Sequence, residues 1–279
     1  MPDEIEGSSL TERTRDMLEL EHALRTALDD GGFELAYQPQ FRVDGRLSGV
    51  EALIRFRHPT LGVIPPSDFI PLAEKTGLID PIGEWVLREA CKQGAGWHAV
   101  GMSDITIGVN VSAVQFGRRD FSALVRDVLA ETGFNPELLE LELTETAIMD
   151  DVAGSAEQME RLKRLGVRIA IDDFGTGYSS LSYLHRLPID RLKIDRSFIA
   201  KMTSASGTLP IVEAILSLCR DLKMGSVAEG VEHQSQFELL TKLGCDCIQG
   251  FLLSKPVTAS EIAKVPGREP RPSASAISS

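Results

Sequence analysis

The feature that most constrains the fold is a regular alternation of short apolar segments with longer amphipathic ones. Eight strand-like segments occur, at residues 33–38, 47–54, 105–111, 139–143, 168–172, 191–194, 226–229 and 246–249. Helical patterns fill most of the intervals, at 81–97, 121–132, 152–165, 209–222 and 235–243, with a shorter one near 179–185. This alternation predicts an α/β fold, a TIM-like (β/α)8 barrel. A doubly wound open sheet is the alternative, but no complete GxGxxG motif follows an early strand.

The first two strands are joined by the short segment Val43-Asp44-Gly45-Arg46. Asp-Gly is a strong signal for a two-residue hairpin, whereas a parallel crossover needs about a dozen residues or more. The first strand should therefore run antiparallel to the second. If Asp44-Gly45 is the turn, Gln38 lies opposite Glu51, and these two polar side chains share one face of the sheet.

Both ends of the chain depart from the alternation. Residues 1–9 are predicted to be disordered, and Ser9 with Glu12 fits a capping box for a helix or connector at 10–30. The barrel domain is expected to span 31–262, and the Pro- and Ser-rich tail 263–279 to be disordered. The helix either connects to an upstream sensor or regulatory partner, pairs with a second copy, or packs as a cap against the bottom of the barrel.

The net charge of −12 and the lack of a basic stripe argue against binding of bulk nucleic acid. A small anionic substrate stays possible where bound metal ions invert the local charge. The sequence has no run of about 18 apolar residues that would span a membrane and no apolar signal segment at its N-terminus. The four cysteines form no CxxC pair and are interpreted as buried thiols of a cytoplasmic protein; they are Cys91, Cys219, Cys245 and Cys247.

Polar residues lie in or directly after seven of the strand-like segments. They are Glu51, Asn110, Glu142, Asp172 with Asp173, Lys193 with Asp195, Glu229 and Gln249. Any one of them could be the first solvated residue of a loop, but barrel active sites lie at the carboxyl ends of the strands. Converging carboxylates are costly to bury unless a cation neutralises them. Because the donors are oxygens and no HExxH or HxH pair occurs, the pattern favours Mg²⁺ or Mn²⁺ over zinc.

The segment RIAIDDFGTGYSS, at 168–180, places two aspartates side by side. Neighbouring residues of a strand point to opposite faces, so Asp172 is interpreted as the last strand residue and Asp173 as part of a turn. Both carboxylates can then reach one opening, an arrangement that suits two metal ions. The glycines that follow lack the third glycine of a dinucleotide fingerprint. They are interpreted as a mobile loop that closes over the site rather than as a phosphate cradle.

Nine motifs follow one another in order: QP at 38–39, EALIRFRHP at 51–59, FIPLAEKTGLI at 69–79, VNVS at 109–112, ELTE at 142–145, DDFGTGYSSL at 172–181, LKIDRSF at 192–198, AEGVE at 228–232 and QGFLLSKP at 249–256. Together they resemble the EAL-domain cyclic di-GMP phosphodiesterases of bacteria, whose signature tripeptide is Glu51-Ala52-Leu53. The resemblance implies a (β/α)8 barrel with an antiparallel first strand. It also implies hydrolysis of one phosphodiester of cyclic di-GMP, which yields linear pGpG.

The resemblance assigns roles residue by residue. Metal ligands are implied at Glu51, Asn110, Glu142, Asp172, Asp173 and Glu229, for two divalent cations, Mg²⁺ or Mn²⁺. Catalytic roles are implied for Glu51, Lys193 and Glu229, with Lys193 holding the attacking water and Glu229 acting as a general base or second-metal ligand. Substrate contacts are implied for Gln38, Leu53, Arg55, Asp195, Glu232 and Gln249, and Glu145 would anchor the loop after Asp173. Gln40 stands where the family commonly has an aliphatic residue, and Phe56 where it often has Trp.

The resemblance also implies a homodimer that forms near the Gly175 loop. Two other functions remain open. One is a receptor module that binds cyclic di-GMP without cleaving it. The other is a different metal-assisted barrel enzyme, such as a lyase acting on a carboxylate substrate.

Overall fold

The structure, a computed structural model, describes residues 3–58, 60–102, 104–176, 183–204 and 207–265, with side chains from residue 17 onward. The helices are α1 (Asp3–Asp30), α2 (Pro66–Thr76), α3 (Ile79–Ala99), α4 (Ala113–Phe116), α5 (Phe121–Thr132), α6 (Glu145–Met149), α7 (Val152–Arg164), α8 (Arg196–Lys201), α9 (Leu209–Leu222), α10 (Gln234–Leu243) and α11 (Ala259–Ile262). The strands are β1 (Phe33–Arg42), β2 (Leu47–His58), β3 (Gly62–Ile64), β4 (Thr106–Val111), β5 (Leu139–Thr144), β6 (Arg168–Phe174), β7 (Arg191–Ile194), β8 (Gly225–Ala228) and β9 (Cys247–Ile248).

Eight of these strands close into a barrel. Their order is β1-β9-β8-β7-β6-β5-β4-β2, and β1 also pairs with β2. β1 is antiparallel to both of its neighbours, whereas the other barrel pairs are parallel. The predicted α/β barrel with an antiparallel first strand is therefore confirmed. β3 lies outside the barrel order as a short antiparallel addition to the end of β2.

The loop between β1 and β2 differs from the predicted two-residue turn. The N–H of Arg42 donates to the carbonyl of Arg46 at 2.8 Å, and the N–H of Gly45 donates to the carbonyl of Arg42 at 2.8 Å. The loop therefore contains three residues, 43–45. Gly45 has a φ of +83°, the left-handed conformation that ends a three-residue hairpin loop and that glycine adopts without steric cost.

A bulge next to this loop restores the predicted register. Phe41 lies opposite Leu47, and the pairing shifts by one residue before the next pair. Ser48 is the extra residue of β2. Beyond it, Gln38 lies opposite Glu51, so the predicted pairing is confirmed although the predicted turn is wrong.

Strand alternation divides the barrel into an apolar outside and a polar inside. In β5, Leu139, Leu141 and Leu143 are fully buried, and they point away from the face that carries Glu140 and Glu142. Those two glutamates pair with basic residues of β7. The main core thus lies between the strands and the surrounding helices, and the interior of the barrel is left for charged groups.

The helices follow the predicted pattern in part. α5 and α9 have the predicted bounds, and α3, α7 and α10 lie within two residues of theirs. α2 was not predicted, because Pro66 and Pro71 interrupt its pattern. Proline is compatible with the first turn of a helix, and Phe69, Leu72 and Ala73 bury one face of α2. The short helix expected near 179–185 falls largely outside the described residues.

The terminal segments bear on the predicted domain bounds. α1 begins at Asp3, so the predicted boundary at residue 10 lies within a continuous helix, and the tail after residue 265 lies outside the described part of the chain. The division into domains stays a prediction. All four cysteines are free and buried, as expected. Among the described residues, no helix is both long enough and apolar enough to cross a membrane.

Candidate metal centre

The carboxyl ends of the barrel strands bring five carboxylates and one lysine together. Glu51 comes from β2, Glu142 from β5, Asp172 and Asp173 from β6, Lys193 from β7, and Glu229 directly follows β8. The parallel arrangement of β2 and β4 to β8 places these strand ends on one side of the barrel. The structure therefore assembles residues that lie far apart in the sequence.

Lys193 is fully buried among four of these carboxylates. Its Nζ lies 2.8 Å from Glu229 Oε1, 3.1 Å from Asp172 Oδ2 and 3.6 Å from Glu51 Oε2, and it also contacts Glu142 Oε2. Burial alone would lower the pKa of Lys193, but the surrounding carboxylates raise it well above its usual value. One ammonium group thus faces four carboxylates, and the cluster retains an excess of negative charge.

Burial and the neighbouring charges both shift the pKa values of the carboxyl groups. Burial raises the pKa of Glu142 well above its usual value and that of Glu229 to about 8. Burial and the neighbouring Asp172 raise the pKa of Asp173 to about 6. Glu51 differs: burial opposes its ionisation, but the charge of Lys193 and hydrogen bonds from two amides lower its pKa. A divalent cation would offset both the burial and the mutual repulsion that oppose ionisation of these groups.

The donor atoms form two overlapping groups. Donor atoms of Glu51, Glu142 and Asp172 lie within 4.8 Å of one another, and so do those of Asp172, Asp173 and Glu229. Asp172 belongs to both groups. Oxygen donors with one shared carboxylate fit a pair of Mg²⁺ or Mn²⁺ ions.

In the group formed by Glu51, Glu142 and Asp172, one donor atom has no partner and there is space around it. Glu142 Oε1 is buried and has no hydrogen-bond partner. A Cβ atom on Gly108 would lie 2.1 Å from this oxygen, so glycine at position 108 makes space for the carboxylate. Asn110 lies in β4 and donates through Nδ2 to Glu51 Oε1 at 2.6 Å. A buried carboxylate oxygen without a donor is the environment that a hard cation would satisfy.

The two adjacent aspartates reach the same site by a different route from the one predicted. The strand does not end at Asp172, because β6 continues to Phe174. Instead, Asp173 has a φ of +52°, and the pairing of β6 with β7 is irregular between Ile171 and Phe174. This left-handed residue interrupts the side-chain alternation of the strand. Asp tolerates the conformation better than most residues.

Glu145 is placed to hold both sides of the loop that follows β6. Its Oε2 accepts from the N–H of Gly175 at 3.4 Å, and its Oε1 accepts from the hydroxyl of Tyr183 at 3.2 Å. Residues 177–182 lie outside the described part of the chain. Glu145 thus contacts the residues on either side of that gap, and its role as a loop anchor stays a prediction.

The remaining predicted site residues surround the cluster or lie farther along the same strands. Gln249 Nε2 donates to Glu51 Oε2 at 2.6 Å. Gln38 lies opposite Glu51, and Leu53 and Arg55 continue along β2. Asp195 caps α8 by accepting from the N–H of Ser197 at 3.0 Å, and its negative charge contributes to the raised pKa of Asp173. Glu232 is exposed, and its N–H donates to Gln236 Oε1.

Three polar residues of the interior were not assigned from the sequence. Gln40, Glu140 and Arg191 form a second polar level, linked by hydrogen bonds of Arg191 to the other two. Each lies two positions from a predicted site residue on the same strand, so strand alternation would have placed it on the same face.

The fold and the site together define a class of protein, an α/β barrel with an acidic cluster of oxygen donors at its mouth. The family model of the EAL domain matches residues 21–256, and the chain belongs to the EAL domain family. This confirms the resemblance that the nine ordered motifs indicate.

Individual relatives agree with this assignment. The chain is 48% identical over 256 residues to the bifunctional diguanylate cyclase/cyclic di-GMP phosphodiesterase MucR of Pseudomonas aeruginosa, covering 91% of this chain and 37% of MucR. It is 43% identical over 246 residues to the cyclic di-GMP phosphodiesterase NbdA of the same organism, covering 88% of this chain and 31% of NbdA. The chain thus spans about a third of the length of these curated relatives.

A solved structure supports the fold. The structure described as the PaMucR phosphodiesterase in complex with c-di-GMP has a TM-score of 0.85 and 49% sequence identity to this chain. The match covers 88% of this chain and 99% of that one. The likeness therefore extends over most of this chain.

Proposed function

We propose that this chain is a metal-dependent phosphodiesterase that hydrolyses cyclic di-GMP to linear pGpG and so lowers this second messenger in bacterial signalling. The observation that carries the proposal is the shared position of Asp172 between two groups of donor atoms, with Lys193 buried beside both. The cyclic di-GMP phosphodiesterase activity for which MucR and NbdA are named supports this substrate. The c-di-GMP complex of PaMucR supports binding of the same ligand by a barrel of this shape.

The residues that would hold the metal ions follow from the two groups. Glu51, Asn110, Glu142 and Asp172 would hold one ion, and Asp172, Asp173 and Glu229 the other. When bound, a pair of divalent cations neutralises charge on a phosphodiester and makes water more acidic. Membership of the EAL domain family supports such a metal requirement. Mg²⁺ and Mn²⁺ both suit the oxygen donors of the two groups.

Lys193 and Glu229 are proposed to prepare the attacking water. Their side chains lie 2.8 Å apart, so one water molecule can contact both. The ammonium group of Lys193 would orient the water, and a carboxylate oxygen of Glu229 would accept its proton. A bond then forms between phosphorus and the water oxygen, and the bond from phosphorus to the ribose 3′ oxygen breaks. That leaving oxygen takes a proton from solvent.

The substrate contacts are proposed on the strand segments nearest the cluster. Gln38 and Leu53 lie on β1 and β2 and would contact the nucleotide, and Arg55 would bind a phosphate. Asp195, Glu232 and Gln249 would contribute further contacts around the opening.

The deciding experiment incubates the protein with cyclic di-GMP and Mg²⁺ or Mn²⁺ and identifies the product by chromatography. We expect pGpG, and we expect Glu51→Ala to abolish its formation. Glu34→Ala is the matched control, because Glu34 lies on the same hairpin in an exposed ion pair with Arg57 and such pairs contribute about 0–1 kcal/mol. Tight binding of cyclic di-GMP without turnover would instead indicate the receptor module. An inactive wild type that binds neither nucleotide nor metal would reject both functions.

We further propose that the domain works in the cytoplasm as a homodimer, coupled through α1 to an upstream sensor or regulatory partner. The greater length of MucR and NbdA supports a neighbouring module, and Met17 and Leu18 of α1 are exposed apolar residues that a partner could cover. Sedimentation of the protein across a range of concentrations, with turnover measured in parallel, tests whether a dimer forms and whether activity depends on it.

A further inference from the structure

A continuous chain of hydrogen bonds crosses the barrel interior from Arg191 to Glu51. Arg191 Nη1 donates to Glu140 Oε1 at 3.0 Å and lies 3.5 Å from Gln40 Oε1, which accepts from it. Gln40 Nε2 donates to Gln249 Oε1 at 2.9 Å, and Gln249 Nε2 donates to Glu51 Oε2 at 2.6 Å. The salt bridge between Arg191 and Glu140, in the second polar level, is therefore linked to a carboxylate of the candidate metal centre.

The two ends of this chain fix its direction. A guanidinium group can only donate hydrogen bonds, and a carboxylate can only accept them. Each carboxamide between them has one oxygen and one NH₂ group, so every contact is satisfied only when both oxygens point towards Arg191. If Gln249 were turned over, its oxygen would meet the carboxylate of Glu51 and its NH₂ group would meet that of Gln40.

Because both carboxamides are buried, the direction of their hydrogen bonds affects stability. Gln40 is 2% exposed and Gln249 4% exposed, so solvent has little access to replace a lost partner. An amide left unsatisfied in such a place is destabilising, and a chain of this kind is stable only when every member is paired.

We propose that Gln40 is a positioning residue for the metal centre, which holds the amide of Gln249 so that Gln249 fixes Oε2 of Glu51. Asn110 fixes the other oxygen of Glu51 from the opposite side, at 2.6 Å. The inference rests on the proposed function, since it concerns a metal ligand of the same site. Removing the outer hydrogen-bond partners of metal ligands typically changes metal affinity or activity about 10–100-fold.

The test is a titration of the metal-free protein with Mn²⁺, without substrate, followed by calorimetry. Gln40→Met keeps the approximate volume and removes both hydrogen bonds, and we expect Mn²⁺ affinity to fall by at least about tenfold. Gln249→Met should cause a similar loss. Because Gln40 acts through Gln249, the double variant should lose no more than about twofold beyond Gln249→Met alone.

A matched control separates positioning from packing. Gln158 is another buried glutamine, 6% exposed, and its Nε2 donates to the carbonyl of Arg118 at 2.9 Å. Gln158→Met should lower the melting temperature and leave Mn²⁺ affinity unchanged. The inference is overturned if Gln40→Met binds Mn²⁺ as tightly as Gln158→Met does, or if the losses of the two single variants add in the double variant. If neither Gln40→Met nor Gln40→Leu folds, Gln40 is a folding residue and the inference also fails.

Wild-type turnover, measured in the same series, distinguishes this inference from the proposed function. A wild type that binds Mn²⁺ but leaves cyclic di-GMP intact removes the proposed function, while the Mn²⁺ affinities still decide the role of Gln40. A wild type that hydrolyses cyclic di-GMP, together with unchanged Mn²⁺ affinity in Gln40→Met, removes the positioning inference alone.

Discussion

Nζ of Lys193 lies 2.8 Å from Oε1 of Glu229, and the same ammonium group meets three further carboxylates. A buried cation of this kind stabilises the cluster before any metal ion binds. It also occupies space close to the metal donors. Lys193 should therefore affect metal binding and turnover in opposite directions.

Lys193→Met is expected to lower turnover of cyclic di-GMP by at least about 100-fold, because the water that Glu229 would deprotonate loses the group that orients it. Mn²⁺ affinity should be retained or increase, because a competing positive charge has been removed. Steady-state kinetics at saturating metal and a separate Mn²⁺ titration measure the two effects.

The control for this substitution is Lys163→Met. Lys163 also pairs with a carboxylate, Asp190 Oδ1 at 2.7 Å, but its side chain is 29% exposed and belongs to α7. It should keep turnover within about twofold of wild type, as partly exposed ion pairs contribute little. Near-normal turnover in Lys193→Met would show that this lysine holds the cluster together without taking part in the reaction.

The two aspartates of β6 should differ in the number of metal ions that depend on them. Asp172 belongs to both groups of donor atoms, whereas Asp173 belongs to one. Asp172→Asn is therefore expected to abolish binding of both ions, and Asp173→Asn to weaken chiefly one. Calorimetric titration with Mn²⁺ gives the stoichiometry of each variant. Loss of the same single ion in both variants would contradict a shared position for Asp172.

The hairpin shows how a prediction from sequence can reach the right pairing through a wrong local structure. The polar faces of Gln38 and Glu51 could be matched by strand alternation alone. The three-residue loop and the extra residue Ser48 could not, because Asp-Gly is compatible with both two- and three-residue loops and a bulge leaves no reliable sequence signal. The two departures compensate, so the register survives.

The site was predictable where polar residues interrupt apolar strands, and less so where geometry departs from regular strands. The backbone of Asp173 is the example: its φ of +52° lets two neighbours reach one site, and only the three-dimensional structure shows it. The second polar level, formed by Gln40, Glu140 and Arg191, was missed for a different reason. Gln40 resembled an isolated substitution in the sequence, and its link to Glu51 runs through Gln249, which is 209 residues away along the chain.

The raised pKa values predict how the stability of the metal-free protein depends on pH. Burial raises the pKa of Glu229 to about 8 and that of Asp173 to about 6 in the folded chain, against usual values of 4.5 and 3.8. Between about pH 5 and 8 the folded state therefore holds protons that the unfolded chain has released, so stability falls as the pH rises. The melting temperature in EDTA should drop between pH 6 and 8. Mg²⁺ should restore it more at pH 8, where fewer protons compete for the carboxylates.

Glu229→Gln is the control for this effect, because it removes the group with the higher of the two pKa values. Its melting temperature in EDTA should depend less on pH than that of wild type. A wild-type melting temperature that stays level or rises over this interval would show that the carboxyl groups of the cluster are ionised without metal.

The lack of a side chain at Gly108 leaves the space that the carboxylate of Glu142 occupies. A Cβ atom at this position would lie 2.1 Å from Glu142 Oε1, and a fully buried carboxylate cannot move aside without losing its contact with Lys193. Gly108→Ala should therefore reduce Mn²⁺ affinity by about tenfold or more, as expected for a displaced metal ligand.

Gly96→Ala is the matched control. Its Cβ would meet no atom nearer than 4.0 Å, and Gly96 lies in the last turn of α3, where alanine is favoured over glycine by up to about 1 kcal/mol. Gly96→Ala should raise the melting temperature and leave Mn²⁺ binding unchanged. Wild-type Mn²⁺ affinity in Gly108→Ala would contradict this prediction. It would show that Glu142 can hold the metal ion from a position other than the one it has in this structure.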